Sequence, residues 1–263
     1  MADAPALRVT LVQQPLVWQD PEANRRHFDT LLAPLAGKTD LVVLPETFTT
    51  GFSMDVERLA EEAGGPTSEW LQKKAGELNA AVTGSVMTKD GGRYYNRMFW
   101  AEPGAQPRHY DKRHLFRMAS EDQSFTAGKS ALCVSWRGFR ICPLVCYDLR
   151  FPVFSRRRPE LEYDLLVYAA NWPSPRRLAW RALLKARAIE NLAFVVGVNR
   201  LGIDGNDLSY AGDSVAHDFL GEALAELGDR PGVVTVALDL QALRAFRDRF
   251  PAHLDADRFT LVE

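Results

Sequence analysis

Three residues far apart in the chain carry side chains that complement one another chemically: Glu46, Lys112 and Cys146. A carboxylate can take a thiol's proton as general base, an ammonium can stabilise a developing oxyanion, and a thiolate can form a thioester that water then hydrolyses. That set suits attack on the carbon of an amide or a nitrile, and it needs no histidine. The five histidines are accordingly read as surface residues: His109 and His114 lie in a basic stretch, and His27, His217 and His253 lie at the periphery of the pattern. A lysine beside the cysteine is expected to lower the thiol's pKa and raise its thiolate fraction.

Each of the three also has an ordinary reading. Free cysteine is among the most buried residue types and often serves as an inert core thiol. A glutamate closing a strand, a lysine within YDKRH and Glu121 in a polar loop are commonly solvated charges. Spacing alone cannot bring residues 46, 112 and 146 together, so the tertiary structure must decide.

The elements that would position them follow from the hydrophobic pattern. Residues 139–145 (FRICPLV) read as a buried strand that stops at Cys146, where the sequence turns polar, although Pro143 fits a central strand poorly. Residues 40–45 (DLVVLP) lack alternation, as expected of a strand buried on both faces, and stop at Glu46. Strands at 7–14, 164–170 and 194–198, and helices after Asp20-Pro21, near 68–78, after Ser174-Pro175 to about residue 192, and at 241–249, complete a βα pattern. On the long helix, Leu178, Ala182, Leu183, Ala186 and Ile189 share one face. Asp90-Gly91-Gly92 and Arg137-Gly138 predict hairpin turns. Residues 49–66 and 112–128 read as loops, and residues 210–219, 223–227 and 233–238 as a closing meander. Two sheets' worth of strands separated by helices predicts an α/β sandwich, its sheets packed on each other and its helices outside.

Composition narrows the class. At 263 residues the chain suits one domain, 1–263. An apolar fraction of 46% and a net charge of -2 are ordinary for a globular protein and provide no basic footprint for nucleic acid. Residues 1–8 lack an apolar signal core, and the longest apolar run, 165–170, is far shorter than a membrane span. The three cysteines contain no CxxC pair, which suggests a reducing cytoplasm and argues against disulfides and structural zinc. A small-molecule partner is expected, with no nucleic acid, membrane, metal or cofactor.

The segments LPETF around Glu46, YDKRHLF around Lys112 and VCYDLRFP around Cys146, in that order, resemble the nitrilase or carbon-nitrogen hydrolase superfamily. The likeness continues through NWPSPR and KARAIEN and is greatest to the omega-amidase branch. It implies Glu46 as base, Lys112 as oxyanion stabiliser, Cys146 as nucleophile, Glu121 as a second, orienting carboxylate, and the backbone N–H of Tyr147 as another oxyanion donor. It also implies a four-layer αββα sandwich, commonly a homodimer joined through helices. Nitrilases proper usually carry Trp-Glu after the cysteine; Tyr147-Asp148 here implies amide substrates.

Omega-amidases act on α-ketoglutaramate or α-ketosuccinamate, which bear a free carboxylate. An arginine fork matches that group, and Arg150, Arg176 and Arg177 are the candidates, with Phe116, Tyr147 and Trp172 as pocket walls. The alternatives are another short-chain aliphatic or deaminated-glutathione amidase, a non-catalytic binding relative, or a thiol redox protein using Cys142 and Cys146. The last is disfavoured because residues four apart on a strand lie about 13 Å apart, beyond disulfide reach.

Overall fold

The computed structural model describes residues 6–261, so the sequence-based reading of residues 1–8 lies partly outside the described residues. The chain opens with β1 (Leu7–Gln13), α1 (Pro21–Leu32), β2 (Leu41–Val43), α2 (Val56–Leu59), β3 (Glu61–Glu62) and α3 (Pro66–Leu78). The hairpin β4 (Ala81–Asp90) and β5 (Arg93–Ala101) follows, then β6 (Arg108–Asp111), α4 (Glu121–Ser124), β7 (Val134–Trp136), β8 (Phe139–Val145) and α5 (Pro152–Ser155). The second half runs β9 (Leu165–Ala170), α6 (Arg177–Asn191), β10 (Phe194–Asn199), β11 (Leu201–Ile203), β12 (Ser209–Ala211) and β13 (Val215–His217). It ends with β14 (Ala223–Glu226), β15 (Gly232–Leu238) and α7 (Leu240–Arg249).

Among the described residues these strands build two large sheets, one ordered β15-β1-β2-β4-β5-β6 with β3 beside β4, the other β14-β13-β10-β9-β8-β7. At the centre of each, β1-β2-β4 and β10-β9-β8 run parallel. The residues of β2, β9 and β10 are buried without alternation, as predicted for residues 40–45, because each of these strands is covered on both faces. One apolar core lies between the sheets, where Val9, Leu11, Val43 and Met98 of the first meet Val145, Val167 and Val196 of the second. A second core packs Phe28, Leu32, Trp70, Leu71 and Leu78 of α1 and α3 onto the outer face of the first sheet. Trp180, Leu184 and Ala188 of α6 cover the second. This is the αββα sandwich expected.

Local signals worked where the chemistry was local. Asp20 caps α1 by accepting from the Ala23 N–H, with Pro21 in the first turn. Gly91 and Gly92, at φ +56° and +76°, close the β4–β5 hairpin. Pro143 does sit within β8, opposite Val167 of β9, but β7 extends only as far as Ile141, so the neighbour on that side has ended before the missing N–H.

Several readings are corrected. Leu178 and Ile189 are exposed (81% and 46%), while Trp180, Leu184, Arg187, Ala188 and Asn191 face the sheet. Apolar residues occupy both faces of α6, and the buried one is the face whose arginine and asparagine find partners in Leu149 and Glu190. The closing meander is split: β12 pairs with β11, β13 and β14 finish the second sheet, and β15 crosses to the first, antiparallel to β1. Short helices, α2 and α4, interrupt the stretches read as loops. His217 is buried (6% exposed) rather than a surface residue.

Candidate active site

Glu46 stands three residues beyond β2, Lys112 directly follows β6, and Cys146 directly follows β8. The first two come from one sheet and the third from the other, so the sandwich itself assembles the set. Cys146 adopts φ +43°, in the left-handed region uncommon for a side chain, at the start of a 3-10 turn over Cys146–Arg150. The backbone thus turns sharply where β8 ends and sets the thiol at the sheet's carboxyl edge. Tyr147 follows in that turn, where the first N–H groups of a helix have no partners within it.

Lys112 is 1% exposed and lies between two fully buried carboxylates. Its Nζ donates to Glu46 Oε1 at 2.8 Å and to both oxygens of Glu121 at 2.9 Å. Burial disfavours the ammonium, but the charges of Glu121 and Glu46 together outweigh it and hold the lysine protonated. Burial pushes the Glu121 carboxyl upward, opposed by Lys112 and reinforced by Glu46. Glu121 also accepts from the Phe116 N–H at 2.6 Å, which fastens the 112–121 segment around it.

The Cys146 thiol contradicts one expectation. Burial and then the charge of Glu46 push its pKa well above the ordinary value, and Lys112 offsets only part of this. Burial and the Glu46 carboxylate thus favour a protonated thiol at Cys146 over a standing thiolate.

Two asparagines absent from the sequence-based set complete the arrangement. Asn96 Nδ2 donates to Glu46 Oε1 at 2.8 Å and to Glu121 Oε1 at 3.1 Å, bridging the carboxylates beside the lysine. Asn171 closes β9; its N–H donates to Glu46 Oε2 at 2.8 Å, and its Nδ2 to the Glu46 carbonyl at 2.6 Å. Its own carbonyl lies 3.8 Å from Cys146 Sγ. Asparagine is depleted in strands, so Asn96 inside YYNRMFW was an available signal.

A small cavity of about 60 Å³ opens at the thiol, its lining including Lys112, Phe116, Tyr147, Arg150, Trp172 and Arg176, with Phe52, Leu208 and Tyr210 also on its wall. Five of the six residues named from sequence as candidate substrate contacts line it, Arg177 being the exception. Arg150 lies over the Trp172 ring (4.9 Å) and Arg176 over Phe116 (5.1 Å). Neither forms an ion pair with an acid among the described residues. Arg177, the third candidate, is instead committed to Asp213 through two hydrogen bonds of 2.9 and 2.8 Å. Cys142 is fully buried in the apolar core and is not among the residues lining this cavity.

A buried thiol, two carboxylates and a lysine gathered at the carboxyl edges of a double-sheet α/β sandwich are the groups that hydrolysis of a carbon–nitrogen bond requires. Comparison with known proteins agrees: the pattern of the carbon-nitrogen hydrolase family matches residues 8–248. The chain belongs to that family and is a hydrolase of carbon–nitrogen bonds other than peptide bonds. It is 48% identical to the omega-amidase YafV of Escherichia coli, over 98% of this chain and 99% of that one. It is 33% identical to a 2-oxoglutaramate amidase of Bacillus subtilis, over 94% and 96%. A solved structure from Xanthomonas campestris, a CN-hydrolase superfamily protein with an arsenic adduct in its active site, superposes with a TM-score of 0.96 at 50% identity, covering 98% and 99%.

Proposed function

We propose that this enzyme is an omega-amidase that releases ammonia from the terminal amide of a short keto-acid amide, α-ketoglutaramate or α-ketosuccinamate. The carrying observation is the pair of guanidinium groups, Arg150 and Arg176, that line a cavity of about 60 Å³ at Cys146 without an acid partner among the described residues. A cation stacked on an aromatic wall is held in place while its N–H groups remain available, and its planar fork fits a carboxylate. The size of the cavity suits a short acyl chain.

In this reading Glu46 takes the thiol proton as Cys146 Sγ attacks the amide carbon. The Lys112 ammonium and the Tyr147 N–H stabilise the oxyanion, and Glu46 returns the proton to the leaving nitrogen. Water, activated by the same carboxylate, then hydrolyses the thioester. Glu121 holds Lys112 through both oxygens and keeps the ammonium on target.

The whole chain, residues 1–263, is taken as one catalytic domain and the active form as a homodimer, in keeping with the exposed Leu178 and Ile189 on α6. A cytoplasmic enzyme fits its free cysteines. No helix among the described residues is long and apolar enough to cross a membrane.

The test is ammonia release across a panel of small amides with the wild type, Cys146→Ser and Cys142→Ser. Turnover of the keto-acid amides by wild type and Cys142→Ser but not by Cys146→Ser is expected. Charge-assisted hydrogen bonds contribute roughly 1.5–3 kcal/mol, so Arg150→Ala or Arg176→Ala should lower kcat/KM for α-ketoglutaramate about ten- to a hundredfold. An uncharged amide of similar length should be hardly affected. Preference for uncharged amides in the wild type would remove the keto-acid assignment.

A further inference from the structure

Asp148 is fully buried and lies one residue beyond Tyr147, yet it is not among the residues lining the cavity. Its carboxylate instead accepts four hydrogen bonds from three residues on two separate segments. Oδ2 accepts from the Tyr110 hydroxyl of β6 at 2.8 Å and from the Val145 N–H of β8 at 3.0 Å. Oδ1 accepts from the backbone N–H of His114 at 3.1 Å and from its Nδ1 at 2.7 Å. A carboxylate oxygen only accepts, so Nδ1 carries the ring proton. The His114 ring is itself stacked on Phe151, with centroids 3.9 Å apart and planes 8° apart.

These partners flank the reacting groups. Tyr110 and His114 stand on either side of Lys112, and Val145 immediately precedes Cys146. Strands β6 and β8 belong to different sheets. We infer that Asp148 is a positioning residue for the reaction, a pin that fixes the lysine-bearing segment of one sheet against the nucleophile turn of the other.

The chemistry of the side chain explains why aspartate fits. Each carboxylate oxygen receives one backbone N–H, from Val145 on one side and His114 on the other, and a backbone N–H cannot become an acceptor. An asparagine of the same shape must turn its NH2 group toward one of them. Whichever way it lies, one tie is lost, either to the Cys146 strand or to the Lys112 segment. Tyr110 differs, because its hydroxyl is the third donor and its loss leaves both backbone ties in place. The Tyr147-Asp148 pair thus bears on the site through geometry, with Tyr147 at the cavity and Asp148 behind it.

The inference rests on Cys146 and Lys112 being the reacting pair but not on the identity of the acyl group. Displacing reacting groups by about 1 Å can cost on the order of a hundredfold in rate. Asp148→Asn should therefore lower kcat about a hundredfold with KM changed less than about threefold, whereas Tyr110→Phe should keep kcat within about threefold of the wild type. The assay uses whichever small amide the wild type turns over, so failure of the keto-acid reading leaves this comparison intact. A substrate-free arm follows iodoacetamide labelling of Cys146, which should slow at least about threefold in Asp148→Asn as Lys112 loses its register. A kcat near that of the wild type in a folded Asp148→Asn, or equal losses in Tyr110→Phe and Asp148→Asn, overturns the inference. Should Asp148→Asn not fold, hydrogen exchange in the wild type decides. Val145 and His114 amides pinned to one carboxylate should exchange with protection within about tenfold of each other, and a larger disparity refutes a common pin.

Discussion

At the scale of single residues, the site is a buried charge cluster whose members set one another's protonation. Burial and the Glu46 charge hold the Cys146 thiol well above its ordinary pKa. In free wild-type enzyme, alkylation of Cys146 should therefore be slow at neutral pH and keep rising as pH is raised. Glu46→Gln removes the second of those causes. The thiol pKa should fall, and labelling at pH 8, followed by mass spectrometry, should be faster than in the wild type even though turnover is lost; slower labelling would contradict the assignment of Glu46 as the opposing charge. Lys112→Ala has a cost beyond catalysis, because it leaves two fully buried carboxylates without their cation. Breaking a buried pair in this way costs about 3–5 kcal/mol, to be read from denaturant midpoints. Without the lysine's opposing charge the folded-state pKa of Glu121, already raised by burial, must rise further above its unfolded value. A raised carboxyl pKa adds stability below the unfolded pKa and forfeits it as pH climbs through the folded one. The destabilisation should thus be larger at pH 8 than at pH 5, and a deficit independent of pH would argue against buried charge as its cause.

At the scale of elements, the lysine depends on a close backbone approach that only glycine permits. Gly128 donates its N–H to the Lys112 carbonyl at 2.9 Å, and a Cβ at this position would lie 2.0 Å from the Asp111 carbonyl oxygen. Gly128→Ala must push the end of β6 aside. Overpacking of this kind costs about 1–3 kcal/mol, and kcat should fall at least about tenfold as Lys112 moves; unchanged kcat would mean that the segment yields elsewhere. This dependence also marks where sequence reasoning reached its limit. The strands ending at Glu46 and Cys146 were legible because parallel strands buried on both faces leave unbroken apolar runs, and Asp20 and Gly91-Gly92 were legible because caps and tight turns are local chemistry. The burial of Glu121 was not legible from its polar surroundings, since a carboxylate in EDQS looks solvated until Lys112, Asn96 and the Phe116 N–H are folded around it. Asp148 was hidden for the same reason: its four donors come from residues 110, 114 and 145. The long helix misled because both of its faces are apolar, and only the packing of Trp180 and Leu184 on the sheet selects one.

At the scale of the molecule, that second apolar face has its own consequence. Leu178 and Ile189 on α6, with Leu220 and Leu224 on the meander beside it, remain exposed in a single chain. Light scattering on purified protein should report a dimer, and Leu178→Asp should shift it toward the monomer; a monomeric wild type at micromolar concentration would exclude this face as a stable interface. The crossing of β15 bears on how the chain comes to be made. β15 pairs with β1 along its full length, from Leu7 opposite Leu238 to Gln13 opposite Gly232. Until residues 232–238 have left the ribosome, β1 has β2 on one side and an open edge on the other, with Val9, Leu11 and Val12 among its apolar residues. An unpaired apolar edge templates association with other chains. Among the described strands, the earliest to be synthesised is therefore closed only by the latest, and until residues 232–238 emerge the nascent chain carries an aggregation-prone edge that β15 seals.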